Sequence, residues 1–126
     1  DLRRVANLLQ AAAALSKNID EELVYEVASL AKPKDVREML ELALKGDFKS
    51  ARQKLFDMII KQGLAGEDII KQIHKEVYRL NIPDEEKVKL VEKVGEYEFR
   101  IAEGGDPLIQ LTALIAQLLL VGKKLK

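Results

Sequence analysis

The 126-residue chain has no cysteine and a single histidine. Without cysteine there can be no disulfide, no thiolate zinc site and no cysteine nucleophile. That composition fits an intracellular protein, and a cytoplasmic location is expected. His74 has Ile70 and Tyr78 one turn away, both poor metal ligands, whereas a catalytic zinc needs several nitrogen or sulfur donors. A structural or surface role is therefore expected for it, and no metal site. Net charge is missing as well: 21 basic and 21 acidic side chains cancel, so the whole chain has no general attraction for nucleic acid. There is no nucleophile elbow and no Walker-type phosphate loop. No apolar run reaches the roughly 20 residues of a bilayer span, and no signal peptide is recognisable.

What is present is one domain's worth of residues, 48% hydrophobic and 33% charged, enough to form a core without staples. The chain begins at Asp1, without a Met, in what reads as helix; the expectation is a piece of something longer. Helical spacing recurs throughout and no strand signal interrupts it, so the class is all-α. Residues 1–15 read as one helix, and residues 20–31 as a second, capped by Asp20. Pro33 disfavours helix in the residue before it, which makes 31–34 the best candidate boundary. A third helix over 35–45 is expected to bury Val36, Met39, Leu40, Ala43 and Leu44 and to close at Gly46. A fourth, starting at Asp47 and ending at Gly63, carries Phe48, Ala51, Leu55, Met58 and Ile59 on one face. The fifth opens at Gly66, with Ile69, Ile70, Ile73, Val77 and Leu80 inward, and breaks at Pro83. The sixth, over 84–103, has apolar positions on more than one stripe, predicting contacts on two sides.

Residues 107–121 organise the rest. Only Gln110, Thr112 and Gln117 are polar there, and none is charged. Asp106 can cap the helix start, Pro107 suits its first position, and Gly122 can close its end, with Lys123, Lys124 and Lys126 trailing as a frayed tail. A surface helix shows one apolar stripe, whereas here apolar residues point in every direction. Either the domain wraps this helix completely, or one side waits for another subunit.

Candidate chemistry is sparse. Glu85 and Glu86 fit a first helical turn, and Glu96 with Arg100 fits an intrahelical ion pair. The glycines of Gly63-Leu64-Ala65-Gly66 fit a helix stop followed by a helix start. Gly95 sits inside a helix, where glycine costs about 1 kcal/mol relative to alanine. A close neighbour explains that cost, either a helix of the same chain or one of a second subunit. Arg3 and Arg4 lie at a helix start, where the dipole disfavours cations; they serve either solubility or an anionic ligand.

Asp1-Leu2-Arg3-Arg4-Val5-Ala6-Asn7-Leu8-Leu9-Gln10 resembles the G-D-L-R-R-x-x-N-x-L-Q segment of clamp-loader ATPases. From end to end the chain is similar to the C-terminal part of archaeal replication factor C small subunits. Ala43-Leu44-Lys45-Gly46-Asp47-Phe48, the run from Gly66 to Glu76, Gly95-Glu96-Tyr97-Glu98-Phe99-Arg100, Glu103-Gly104 and Ile109-Gln110-Leu111 carry the likeness. Asp106-Pro107 departs from the family pattern. The resemblance implies that residues 1–31 end an ATPase lid and that residues 33–126 form a helical collar of about five helices. It also places Arg3 on the sensor arginine that reads the nucleotide's terminal phosphates, a task suited to the guanidinium fork. The phosphate loop, magnesium carboxylates and arginine finger of such ATPases are not in this sequence. The implied activity here is therefore oligomerisation and not catalysis, with ATP and magnesium used only by the intact subunit. Implied partners are further copies of the small subunit and a large clamp-loader subunit. The sliding clamp and primer-template DNA are contacted through other domains, and no membrane is involved. Leu108, Leu111, Leu114, Ile115, Leu118, Leu119, Tyr97 and Phe99 are the expected interface residues. The alternatives are a nucleotide-responsive lid piece and a helical DNA-binding module.

Overall fold

Proline at the first position of a helix loses no hydrogen bond, because that N–H has no partner inside the helix. Pro33 and Pro107 both use this rule, each opening a helix. The computed structural model describes residues 23–25, 28 and 30–126. From residue 30 onward it holds five α-helices: α1 Pro33–Lys45, α2 Phe48–Phe56, α3 Gly66–Val77, α4 Asp84–Ala102 and α5 Pro107–Lys124. No strand occurs among the described residues, and the class is all-α. The expected helix over 1–15, with Arg3 and Arg4, and most of the one over 20–31 lie outside the described residues.

Helix α1 starts two residues earlier than expected, since Pro33 begins the helix as well as ending what precedes it. Gly46 closes it in the left-handed conformation at φ +100°, which a side chain would resist, and its N–H donates to the Ala43 carbonyl. Asp47 caps α2 by accepting a hydrogen bond from the Ser50 N–H at 3.1 Å. The expected single fourth helix is instead α2 followed by a π-helical turn, Asp57–Lys61. That turn still buries Met58 and leaves Ile60 exposed.

The core is built largely as the periodicity predicts, although Leu44, expected inside, is only partly buried. Val36, Met39, Leu40 and Ala43 of α1, Ala51 and Leu55 of α2, and Ile69, Ile70, Ile73 and Val77 of α3 are all buried. Ala31, at the expected boundary, belongs to the same core. One buried charge ties α1 to α3. The Glu76 carboxylate accepts from Arg37 Nε at 3.1 Å, and from Arg79 Nη1 and Gln72 Nε2 at 3.2 Å each. Such a group is tolerable inside a protein only because its oxygens are this fully bonded.

Helix α5 lies against all four other helices, and glycine sets the closeness at both of its ends. A Cβ on Gly66 would come within 2.5 Å of Pro107, at the helix start. A Cβ on Gly122 would come within 2.0 Å of the Leu44 carbonyl oxygen, at its end. Gly122 was expected as a stop, yet it is a buried helical residue where α1 passes, and α5 runs on to Lys124. Nor is the lysine tail frayed as expected. Lys124 Nζ donates to Glu86 at 2.7 Å and Lys126 Nζ to the Lys45 carbonyl at 2.9 Å. With this extension α5 is 18 residues long and, by length and composition alone, apolar enough to cross a membrane. Its inner face is nevertheless part of the protein core.

Candidate subunit-contact surface

Successive residues on an α-helix are rotated by about 100°, so a helix buried on one side must show the opposite side to something. On α5 the buried side is Leu111, Leu114, Ile115, Leu118 and Gly122. The opposite line runs through Ile109, Ala113, Ala116 and Leu120. Ile109 is 66% exposed and Leu120 56% exposed, and the two alanines between them are half-buried. Thr112, beside this line, donates its hydroxyl to the Leu108 carbonyl at 2.6 Å, which turns its polarity back into the helix. From residue 107 to 122 no side chain is charged. The outward side of α5 is therefore an uncharged apolar strip facing solvent, of the kind that marks an interaction surface.

This corrects the expected interface. Leu111, Leu114, Ile115 and Leu118 face the chain's own core, because α1, α2, α3 and α4 enclose that side. Tyr97 is likewise buried, with Arg100 stacked on its ring at 5.4 Å. Leu108 is half-buried against the core, and Leu119 is half-buried. Of the expected residues only Phe99 is well exposed, at 65%. Ile109 and Leu120, which offer the largest apolar area on α5, were missed. Their spacing opposite the buried set, with only alanines between, was the signal that could have found them.

Helix α4 also differs from expectation. Its buried residues form one stripe, Glu86, Leu90, Val94, Tyr97 and Ile101, while Val88 and Phe99 stand exposed on the far side. Gly95 lies on that far side, and nothing comes within 4 Å of where its Cβ would be. The close neighbour in its own chain, one of the two explanations for this glycine, is absent among the described residues.

Charge links the ends of α4 and α5. The Lys124 ammonium donates to Glu86 and holds that carboxyl below the usual carboxylate range, against burial, which pushes it up. Lys124 is raised in return, chiefly by the same hydrogen bond. Lys89 joins the pair at 3.6 Å. These groups border a groove of about 270 Å³ between the two helices, walled by Leu120 and Val121. The predicted Glu96–Arg100 ion pair forms.

The lone histidine has one polar partner among the described residues. His74 is exposed and hydrogen-bonded to the Tyr78 hydroxyl at 3.0 Å, ring edge to ring face. It borders a wider cleft of about 680 Å³ together with Asp68, Lys71, Val91 and Gly95. Among the described residues no cluster of His, Asp or Glu could hold a metal ion.

An all-α bundle that surrounds one helix on its inner side and leaves that helix's outer side apolar defines a helical packing domain. Residues 31–117 match the family described as the replication factor C C-terminal domain, and the chain belongs to it. It is 56% identical over 124 residues to the replication factor C small subunit of Pyrococcus furiosus, covering 98% of this chain and 15% of that protein. The small subunit of Sulfurisphaera tokodaii is 52% identical over 126 residues, covering 98% of this chain and 38% of that protein. That of Methanocaldococcus jannaschii is 46% identical over 123 residues, covering 98% and 7%. The chain thus spans well under half the length of these relatives.

Proposed function

We propose that this chain is the assembly part of a clamp-loader small subunit. Residues 33–126 form the collar domain that holds neighbouring subunits side by side, and residues 1–31 end the ATPase lid. In this reading the chain alone is not an enzyme. The intact subunit, in the cytoplasm, uses ATP and magnesium to load a sliding clamp onto primer-template DNA, through domains outside this chain. Arg3 reads the nucleotide there. The partners are other copies of the small subunit and one large subunit, packed head to tail so that the contacts close a ring.

One observation carries the reading. The outer face of α5 is apolar and uncharged although no part of the described chain covers it. Burying such a face gains roughly 25 cal/mol per Å² of apolar surface removed from water, a gain that a second molecule supplies in this reading. Balanced charge weighs against DNA binding by this chain, because non-specific affinity comes from clustered cations that release counterions. Sedimentation equilibrium of the 126-residue chain is the test. Reversible self-association in the micromolar range is expected, and a strict monomer at high micromolar concentration would overturn the proposal.

A further inference from the structure

Two exposed lines of side chains on this molecule complement each other. On α4, Val88, Glu92, Gly95, Phe99 and Ala102 fall on one face by helical spacing, and all five are exposed. On α5, Ile109, Ala113, Ala116, Leu120 and Lys123 share one face, the two alanines half-buried and the other three exposed. Each line has bulky apolar residues with small ones between. We propose that the α4 line of one copy receives the α5 line of a second copy, with the two helices antiparallel. This pairing rests on the assembly reading above and specifies which faces meet.

Four positions of each line come into register. With Leu120 placed over Gly95, the antiparallel run brings Phe99 over Ala116 and Ala102 beside Ala113. Phe99 and Leu120 then each meet a small residue, which is how ridges enter grooves at a helix contact, while Val88 and Ile109 lie beyond the overlap. The same register sets Lys123 beside Glu92. Neither residue makes an ion pair among the described residues, whereas the adjacent Lys124 is held by Glu86. Antiparallel packing is also the arrangement that helix dipoles favour.

Gly95 gives the pairing its physical motive. A glycine in an exposed helix interior costs about 1 kcal/mol, and nothing in the described chain comes close enough to require it. A leucine entering from outside would make use of the space it leaves. A second copy is the occupant because both halves of the match, in shape and in charge, are on this one sequence.

The test uses two variants, Phe99→Asp, which disables the α4 face, and Leu120→Asp, which disables the α5 face. Both sites are exposed, so the fold should persist, as circular dichroism and thermal melting would verify. Each variant alone should sediment as a monomer. An equimolar mixture should regain a dimer, because one undamaged α4 face then meets one undamaged α5 face. Independently, Glu92→Lys or Lys123→Glu should weaken association about tenfold, and the double reversal should restore it. If the unaltered chain associates but the mixture stays monomeric, or either variant associates alone, the pairing is wrong and the assembly reading stands. If the unaltered chain is itself monomeric, the assembly reading fails and takes the pairing with it.

Discussion

Helices α4 and α5 are neighbours of nearly equal length, 19 and 18 residues, and each buries five positions against the rest of the chain. Their outer sides could hardly differ more. Ten of the 19 residues of α4 are charged, whereas α5 has two charges, both in its last turn. The demand of the core is thus the same for both, and it cannot explain why α5 is apolar all round. The excess apolar character of α5 lies on its outside, where the described residues of its own chain make no use of it. On α4 the corresponding signal is smaller: Val88, Phe99 and a glycine among charges.

The comparison can be broken most severely at Gly122. Gly122→Ala would drive a methyl into the Leu44 backbone, forcing α1 and α5 apart at a cost of at least about 3 kcal/mol, the upper end for overpacking. Urea denaturation would measure it. Next in size is a contrast within α5. Leu118→Ala, on the buried side, should cost about 2–5 kcal/mol of stability. Leu120→Ala, on the exposed side, should change monomer stability by less than about 0.5 kcal/mol while reducing association. Equal losses from the two would erase the distinction between inner and outer faces.

Gly95→Ala sharpens the picture in the other direction. In the monomer it should raise stability by about 0.5–1 kcal/mol, since the methyl meets nothing and helix propensity improves. Association should weaken at the same time, so thermal melting and sedimentation move oppositely. The smallest effect concerns pH. The folded pKa of Glu86 lies below its unfolded value, so its contribution is complete above the unfolded value, near pH 4.5, and fades as pH falls through the folded one. Lys124 is raised, so its contribution holds below its unfolded pKa and is lost as pH rises through the folded one. Glu86→Gln should flatten the acid limb of stability against pH, measured by denaturation between about pH 3 and 6.

Much of this architecture was legible beforehand. Ile69, Ile70, Ile73 and Val77 recur at helical spacing among polar residues, and such a pattern has a phase that names its own buried side. Asp47 and Gly46 announce a cap and a stop through local backbone chemistry. The candidate surface was harder to read. Leu111 and Leu120 are the same residue type on one helix that is uncharged from 107 to 122, and with no polar side for reference the pattern has no phase.

The chain's sequence by itself determined that the fold is helical, where most helices start, and which residues of α1 to α3 form the core. Those properties follow from spacing and capping over a few residues. Only the tertiary structure decided that Gly122 is a contact instead of a terminus, that Lys124 is anchored on Glu86, and that Ile109 and Leu120 face outward while Leu111 and Leu118 do not. Each of these depends on where a second helix lies. A helix apolar on every side acquires an inside and an outside only from its neighbours.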